Sequence, residues 1–261
     1  MSEYAAGTPS WVDVMSPYFA ATEKFYGALF GWTAVGTGST EQAGEYKMFM
    51  LDGKYVAGGG PLSDDQVPPH WNTYINVDDA DASAAKVREN GGQVLVEPMD
   101  VMTAGRMAVC ADPTGATFSL WQPINFPGSQ LVNEPGTLCW NELNSRDPEK
   151  SKAFYAAVFG WQSKTQPASD GMEYTEFHLN EKMIAGMFTM TEKIPPEVPP
   201  HWMVYFAVAD ADATAKQTED QGGKIIVPAT EVSVGRFVVL TDPQGITFSV
   251  IQLKSQTPNH P

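Results

Sequence analysis

The chain has 261 residues, 43% of them hydrophobic, enough to bury the core of one large domain or two small ones and too many for a disordered chain. Its 31 acidic and 16 basic side chains leave a net charge of −15, which opposes binding to nucleic acid or to an anionic membrane. No apolar run approaches the roughly 18 residues of a membrane span, and Met1-Ser2-Glu3-Tyr4 lacks the basic start and apolar stretch of a secretion signal. Cytoplasmic residence is therefore expected, with unconventional export left open. Cys110 and Cys139, the two cysteines, fall at non-equivalent places and read as reduced thiols.

In chain order, residues 1–8 read as a tail. Trp11 to Met15 predicts a strand, and Ser16-Pro17 predicts the opening of a helix that stops at Gly31. Trp32 to Val35 predicts a second strand, Gly36 to Thr40 a loop, and Glu45 to Leu51 a third strand. The Asp52-Gly53 pair signals a tight turn into a fourth. Ala57-Gly58-Gly59-Gly60 then implies close approach of backbone. Asp64 to Pro69 is a polar connector. Asn72 to Val77 alternates with a period of two, Asp78 or Asp79 caps a helix to Asn90, and Gly91-Gly92 stops it. Strands over Gln93–Glu97, Arg106–Ala111 and Ala116–Trp121 follow, the last two joined by an Asp112-Pro113-Thr114-Gly115 turn.

The whole pattern then repeats. Phe25-Tyr26-Gly27-Ala28-Leu29-Phe30-Gly31-Trp32 returns as Phe154-Tyr155-Ala156-Ala157-Val158-Phe159-Gly160-Trp161, identical at six of eight positions. Val67-Pro68-Pro69-His70-Trp71 returns unchanged as Val198-Pro199-Pro200-His201-Trp202, and Asp242-Pro243-Gln244-Gly245 echoes the turn at Asp112. Asp147-Pro148-Glu149 is a clear helix start, with a cap, a proline and an acid in place. The chain therefore reads as a tandem duplication: copy one over 9–123, a linker over 124–135, copy two over 136–253 and a tail over 254–261.

The βαβββ order, the F-Y-x-x-x-F-G-W helix end and the D-P-x-G turn resemble the vicinal oxygen chelate superfamily of glyoxalase I, extradiol dioxygenases, fosfomycin resistance enzymes and bleomycin resistance proteins. The resemblance covers nearly the whole chain, twice, and is similar to the two-domain glyoxalase-like proteins. It implies an α+β fold: tandem domains, each of two βαβββ modules forming a curved mixed sheet around a pocket. In metal-dependent members, three strand positions hold Fe, Zn or Mn through His or Gln, His or Gln, and Glu. Carried onto this chain, those positions are Trp11, Asn72 and Ser119 in copy one, and Trp140, Met203 and Ser249 in copy two. None is a usual ligand, so no metal cofactor is expected, with a divalent ion kept as the alternative.

The same strand faces carry other chemistry. Asp13 shares a face with Trp11, and its equivalent Glu142 with Trp140. A carboxylate beside an indole suits a general base or a cation-binding group, or else pairs with a tyrosine or arginine of the fold, for which Arg106 and Arg236 stand at matched places. Tyr74, Tyr205, Thr117, Thr247, Trp121 and Ile251 complete the expected faces; their aromatics either line a ligand pocket or fill it. His70 and His201, each between Pro-Pro and Trp, read as structural. His178 with Glu176 is the one His/Glu pair able to build an unconventional metal site. No nucleophile elbow or nucleotide-binding glycine loop occurs.

Two functions follow as expectations. The first is metal-free binding of a small organic molecule, of the sequestration or resistance type, by a monomer or homodimer. The alternative is an enzyme, a lyase, isomerase or oxygenase/hydroxylase, with Asp13 or Glu142 as general base.

Overall fold

The computed structural model describes residues 4–37, 46–62, 67–167 and 173–254. Parts of the expected Gly36–Thr40 loop and Asp64–Pro69 connector, both extreme termini and His260 lie outside the described residues.

Four βαβββ modules follow one another. The first is β1 (Pro9–Ser16), α1 (Phe19–Phe30), β2 (Thr33–Gly36), β3 (Lys47–Leu51) and β4 (Lys54–Pro61). The second is β5 (His70–Asn76), α2 (Ala80–Glu89), β6 (Gln93–Val101), β7 (Gly105–Ala111) and β8 (Thr117–Pro123). The third is β9 (Leu138–Ser145), α3 (Pro148–Phe159), β10 (Gln162–Pro167), β11 (Glu173–Leu179) and β12 (Lys182–Thr189). The fourth is β13 (His201–Ala207), α4 (Ala211–Asp220), β14 (Lys224–Val232), β15 (Gly235–Thr241) and β16 (Thr247–Leu253). Each copy contributes one eight-stranded mixed sheet, ordered β2-β3-β4-β1-β5-β8-β7-β6 and β10-β11-β12-β9-β13-β16-β15-β14. Within each module the first and last strands, such as β1 with β4, run parallel, and the hairpins run antiparallel.

Local signals act largely as read. Gly31 and Gly160 close α1 and α3 in the left-handed region, at φ 76° and 75°. Asp79 caps α2 by accepting from the Ala82 amide, and Asp147 caps α3 by accepting from Lys150. A Cβ on Gly59 would meet Val14 and Phe19 within 3 Å, which is the close approach its glycine run implies. One start differs: α1 begins at Phe19, not at Ser16-Pro17. Ser16 ends β1, and its hydroxyl is engaged by Thr22 and Gln244.

The chain divides into two compact units, and neither is a copy. Unit one holds 1–11, 73–128 and 140–203; unit two holds 12–72, 129–139 and 204–261. Each unit therefore packs a module of copy one with a module of copy two. The core of unit one brings Ile75, Phe118 and Leu120 onto Phe154, Tyr155, Phe177 and Trp202. That of unit two brings Phe25, Tyr26, Phe49 and Trp71 onto Val204, Phe206, Phe248 and Val250.

The repeated motifs meet at these cores. In unit one the Trp202 indole donates to Tyr155 Oη at 2.9 Å, and that hydroxyl donates to Asp112 Oδ2 at 3.2 Å. Three sequence motifs, two from copy two and one from copy one, thus join in one buried chain. In unit two Trp71 donates likewise to Tyr26 Oη at 2.9 Å. Burial first, then the nearby Asp carboxylate, pushes both tyrosine hydroxyls well above their ordinary range. Trp161 donates to the Gly7 carbonyl and Trp32 to that of Gly136, each at 2.7 Å. The conspicuous aromatics of the repeat are core groups with satisfied polar ends.

Candidate functional site

Strand alternation separates core from face. Val12 and Val14 of β1 enter the core, so Trp11 and Asp13 lie on the opposite face. In β9 the core residue is Leu143, which leaves Trp140 and Glu142 on that other face. In β11 Phe177 is core, and Tyr174 and Glu176 point away from it. The expected face residues Asn72, Tyr74, Ser119, Trp121, Met203, Tyr205 and Ser249 are all buried, and Tyr74 pairs in register with Ser119 as Tyr205 does with Ser249.

Copy two builds a polar cluster on β9, β11 and β12. Gly186 of β12 pairs in register with Glu142 on one side and Glu176 on the other. A Cβ on Gly186 would overlap the Tyr174 hydroxyl and come within 2.9 Å of Trp140 Nε1. The glycine is what lets the tyrosine ring lie across the strand. Tyr174 Oη accepts from Trp140 Nε1 at 2.9 Å and donates to Glu142. Burial, then the Glu142 charge, holds that hydroxyl protonated far above the usual range, so it stays a donor. Beside it, His178 Nε2 lies 3.0 Å from Glu176 Oε2, and Gln166 Nε2 donates to Glu176 Oε1 at 3.1 Å. The two residues expected to pair, Glu176 and His178, are therefore in contact.

Among the described residues, copy one repeats only the first half. Tyr46 Oη donates to Asp13 Oδ2 at 3.2 Å, and Asp13 is 2% exposed. Met48 occupies the register of Glu176, opposite Gly58, and Met50 that of His178. The partners of the two face carboxylates are tyrosines, not the matched arginines. Arg106 pairs with Asp81 and Asp100, and Arg236 with Asp212 and Glu231, on exposed surface.

The aromatics of copy one pack on one another. Trp11 meets Phe126 edge-on at 4.8 Å, Phe126 lies 6.2 Å from Trp121, and Trp121 lies 6.2 Å from Tyr74. Trp121 Nε1 donates to the Phe126 carbonyl at 2.8 Å. Phe126, in the segment after β8, was not singled out from sequence; its spacing carries no strand or helix period, and only its fit against Trp11 reveals it. His70 and His201 each donate from Nδ1 to the Pro68 and Pro199 carbonyls, 2.9 and 2.8 Å away, holding the Pro-Pro turn. Depressions of about 330 and 340 Å3 lie elsewhere, one beside Leu51, Leu131 and Pro135 and one beside Lys216 and Ile225. They are open surface without convergent chemistry.

The superfamily's divalent metal does not fit the donors present. Trp11, Asn72, Ser119, Trp140, Met203 and Ser249 offer no carboxylate, imidazole or thiolate. Among the described residues no group of three or more His, Cys, Asp or Glu converges. Burial pushes both thiols, Cys110 and Cys139, up to about 12, which leaves them protonated and inert.

A family model described as "Glyoxalase/Bleomycin resistance protein/Dioxygenase superfamily" matches residues 9–120 and again 137–250. The chain belongs to this superfamily. It is 45% identical over 255 residues to "Putative glyoxylase CFP32" of Mycobacterium tuberculosis, spanning 96% of this chain and 97% of that one. It is 37% identical to "Anthracycline biosynthesis protein DnrV" of Streptomyces peucetius, over 99% and 98%. The fold is similar to that of an Mn(II)-bound glyoxalase from Novosphingobium aromaticivorans, with a TM-score of 0.66 at 16% identity, covering 97% of this chain and 84% of that one. It is also similar to a 2,2',3-trihydroxybiphenyl 1,2-dioxygenase from Sphingomonas wittichii, at 0.64 and 14%, covering 98% and 94%. Among the described residues, no helix is long and apolar enough to cross a membrane.

Proposed function

We propose that this protein binds a small, planar, hydroxylated or cationic organic molecule at the Trp140–Tyr174–Glu142 cluster of copy two, without a resident divalent metal. The observation that carries the reading is the preformed trio over Gly186: an indole, a phenol locked as a donor and a carboxylate, on one face of the sheet. A flat ring system stacks on the indole, and the carboxylate takes its hydroxyl or ammonium group. The six non-ligating strand positions support the metal-free part. The name of the Streptomyces relative, an anthracycline biosynthesis protein, supports a polycyclic aromatic as the ligand class.

The test is titration of the full chain with an anthracycline, read by tryptophan fluorescence, with and without a chelator. Binding unchanged by the chelator and weakened at least tenfold by Glu142→Gln is expected. Loss of binding on chelation, restored by iron, zinc or manganese, would overturn it. The relatives named as glyoxylases favour a second reading, turnover with Glu142 as general base. In that case Glu142→Gln abolishes product formation while leaving the melting temperature in place.

A further inference from the structure

We infer that His178 is the proton acceptor of the copy-two site, taking the proton of an acidic hydroxyl, a phenol or enol, on the bound molecule; this rests on the function proposed above. His178 is 8% exposed. Its Nε2 faces Glu176 Oε2 at 3.0 Å, and the other oxygen of that carboxylate is held by the Gln166 amide. The tautomer that makes this bond donates from Nε2 to the carboxylate oxygen and carries its lone pair on Nδ1. Nδ1 is buried and, among the described residues, has no hydrogen-bond partner. Buried polar atoms are nearly always satisfied, so an orphaned one calls for an explanation, and a hydroxyl on the bound molecule supplies it here.

In register with His178 stand Gln162 of β10 and Met183 of β12, both neutral. Lys164 of β10 stands in register with Glu176, and the Tyr174 and Glu142 side chains of the same face are bonded to each other. Copy one has Met48 and Met50 at these registers, so the backbone does not require the pair. In the proposed step the ligand O–H bond breaks, and its proton forms an N–H bond at Nδ1. The oxygen keeps the electron pair, and the imidazolium is held by the Glu176 carboxylate. No electron changes hands and no second reactant is needed.

The probe is 4-nitrophenol, whose absorption band moves on ionisation, added to the full chain at a pH below its own pKa. The wild type is expected to hold it as phenolate. His178→Met and Glu176→Met, which install the copy-one residues and so suit the strand, are expected to lose that band and at least tenfold in affinity. In 15N spectra, His178 of the free protein is expected as the Nε2–H tautomer, with Nδ1 gaining a proton when the probe binds. A phenolate band unchanged in His178→Met overturns the inference and leaves Nδ1 to a buried water. A band lost only in Glu142→Gln overturns it in favour of that carboxylate, while the binding reading stands. Failure of the wild type to bind both 4-nitrophenol and an anthracycline overturns the binding reading and this inference with it.

Discussion

Trp202, Tyr155 and Asp112 form a closed chain of three buried groups in unit one, whereas in unit two Trp71 and Tyr26 make the first link and Asp242 Oδ2 has no partner among the described residues. The sequences around these groups are nearly the same. The comparison shows that a duplicated motif fixes which residues meet but not which hydrogen bonds close. Each phenol to phenylalanine change therefore has its own cost. Tyr155→Phe strands an indole N–H and a carboxylate oxygen together, and should destabilise by roughly 2–4 kcal/mol. Tyr26→Phe strands only the Trp71 N–H, and should cost about 1–3 kcal/mol. Denaturant titration of both variants checks the order; equal losses would break the comparison.

The strand faces differ in the same manner, but in side-chain type. Asp13 with Tyr46 matches Glu142 with Tyr174, yet Met48 and Met50 stand where Glu176 and His178 do. Among the described residues, copy two alone keeps a polar set beyond its carboxylate–tyrosine pair. Gly186→Ala sharpens this. The new methyl takes the place of the Tyr174 hydroxyl, so the ring must swing away and release both Trp140 and Glu142. A loss of at least tenfold in ligand affinity, about 1.4 kcal/mol, is expected with a folded far-ultraviolet spectrum. Unchanged affinity would show that the trio does not hold the ligand.

Helix starts give a third contrast. Asp147 caps α3 from its own chain position, but Tyr18 at the start of α1 has no capping side chain. The missing cap is supplied by Gln244 of the second copy's turn. Its Oε1 accepts from the Tyr18 amide at 3.1 Å and from Ser16 Oγ at 2.8 Å. Gln244→Thr, the residue of the first copy's turn, should cost about 1 kcal/mol, much like Asp147→Ala. Thermal unfolding that ranks Gln244→Thr with neutral surface changes would deny it the capping role.

Asp242 itself adds a dependence on pH. Burial pushes its carboxyl above the ordinary value, against the backbone amides that pull it down. The folded state then binds more protons than the unfolded chain at pH values above about 3.9 and up to the raised folded value. Its contribution to stability is full below that window and is lost as pH rises through it. Asp242→Asn should flatten this part of the stability profile; an unaltered slope would assign it to other groups.

Much of this was legible before the structure. The duplication, the βαβββ order, the glycine stops at Gly31 and Gly160 and the Asp79 and Asp147 caps are local signals, and each depends on a few adjacent residues. What is carried by distant chain stayed hidden. Nothing in the order of residues says that Tyr155 of one copy bonds Asp112 of the other, that Gln244 caps α1, or that Phe126 closes on Trp11. The same holds for the face carboxylates: strand alternation placed Asp13 and Glu142, but their tyrosine partners come from neighbouring strands. Arg106 and Arg236 were plausible partners by matched position, and the sheet turns them instead to surface aspartates.

The smallest expected effect concerns one turn. Between β3 and β4 the chain reverses through Asp52 and Gly53 at φ 50° and 75°; between β11 and β12 it does so through Asn180 and Glu181 at 48° and 67°. Both central residues of such a turn need positive φ, which suits Asn, Asp and Gly. Glutamate at the second position holds a left-handed conformation that costs of order 1 kcal/mol, and glycine there would relieve it. The gain is offset by the greater freedom of glycine in the unfolded chain, about 0.4–1 kcal/mol. Glu181→Gly should therefore stabilise by roughly 0.5 kcal/mol at most, while Gly53→Glu should destabilise by about the same amount. Since β11 carries Glu176 and His178, tightening this turn should also leave ligand affinity unchanged within twofold; a larger change would mean that the hairpin's register, and not side-chain identity alone, sets the copy-two face.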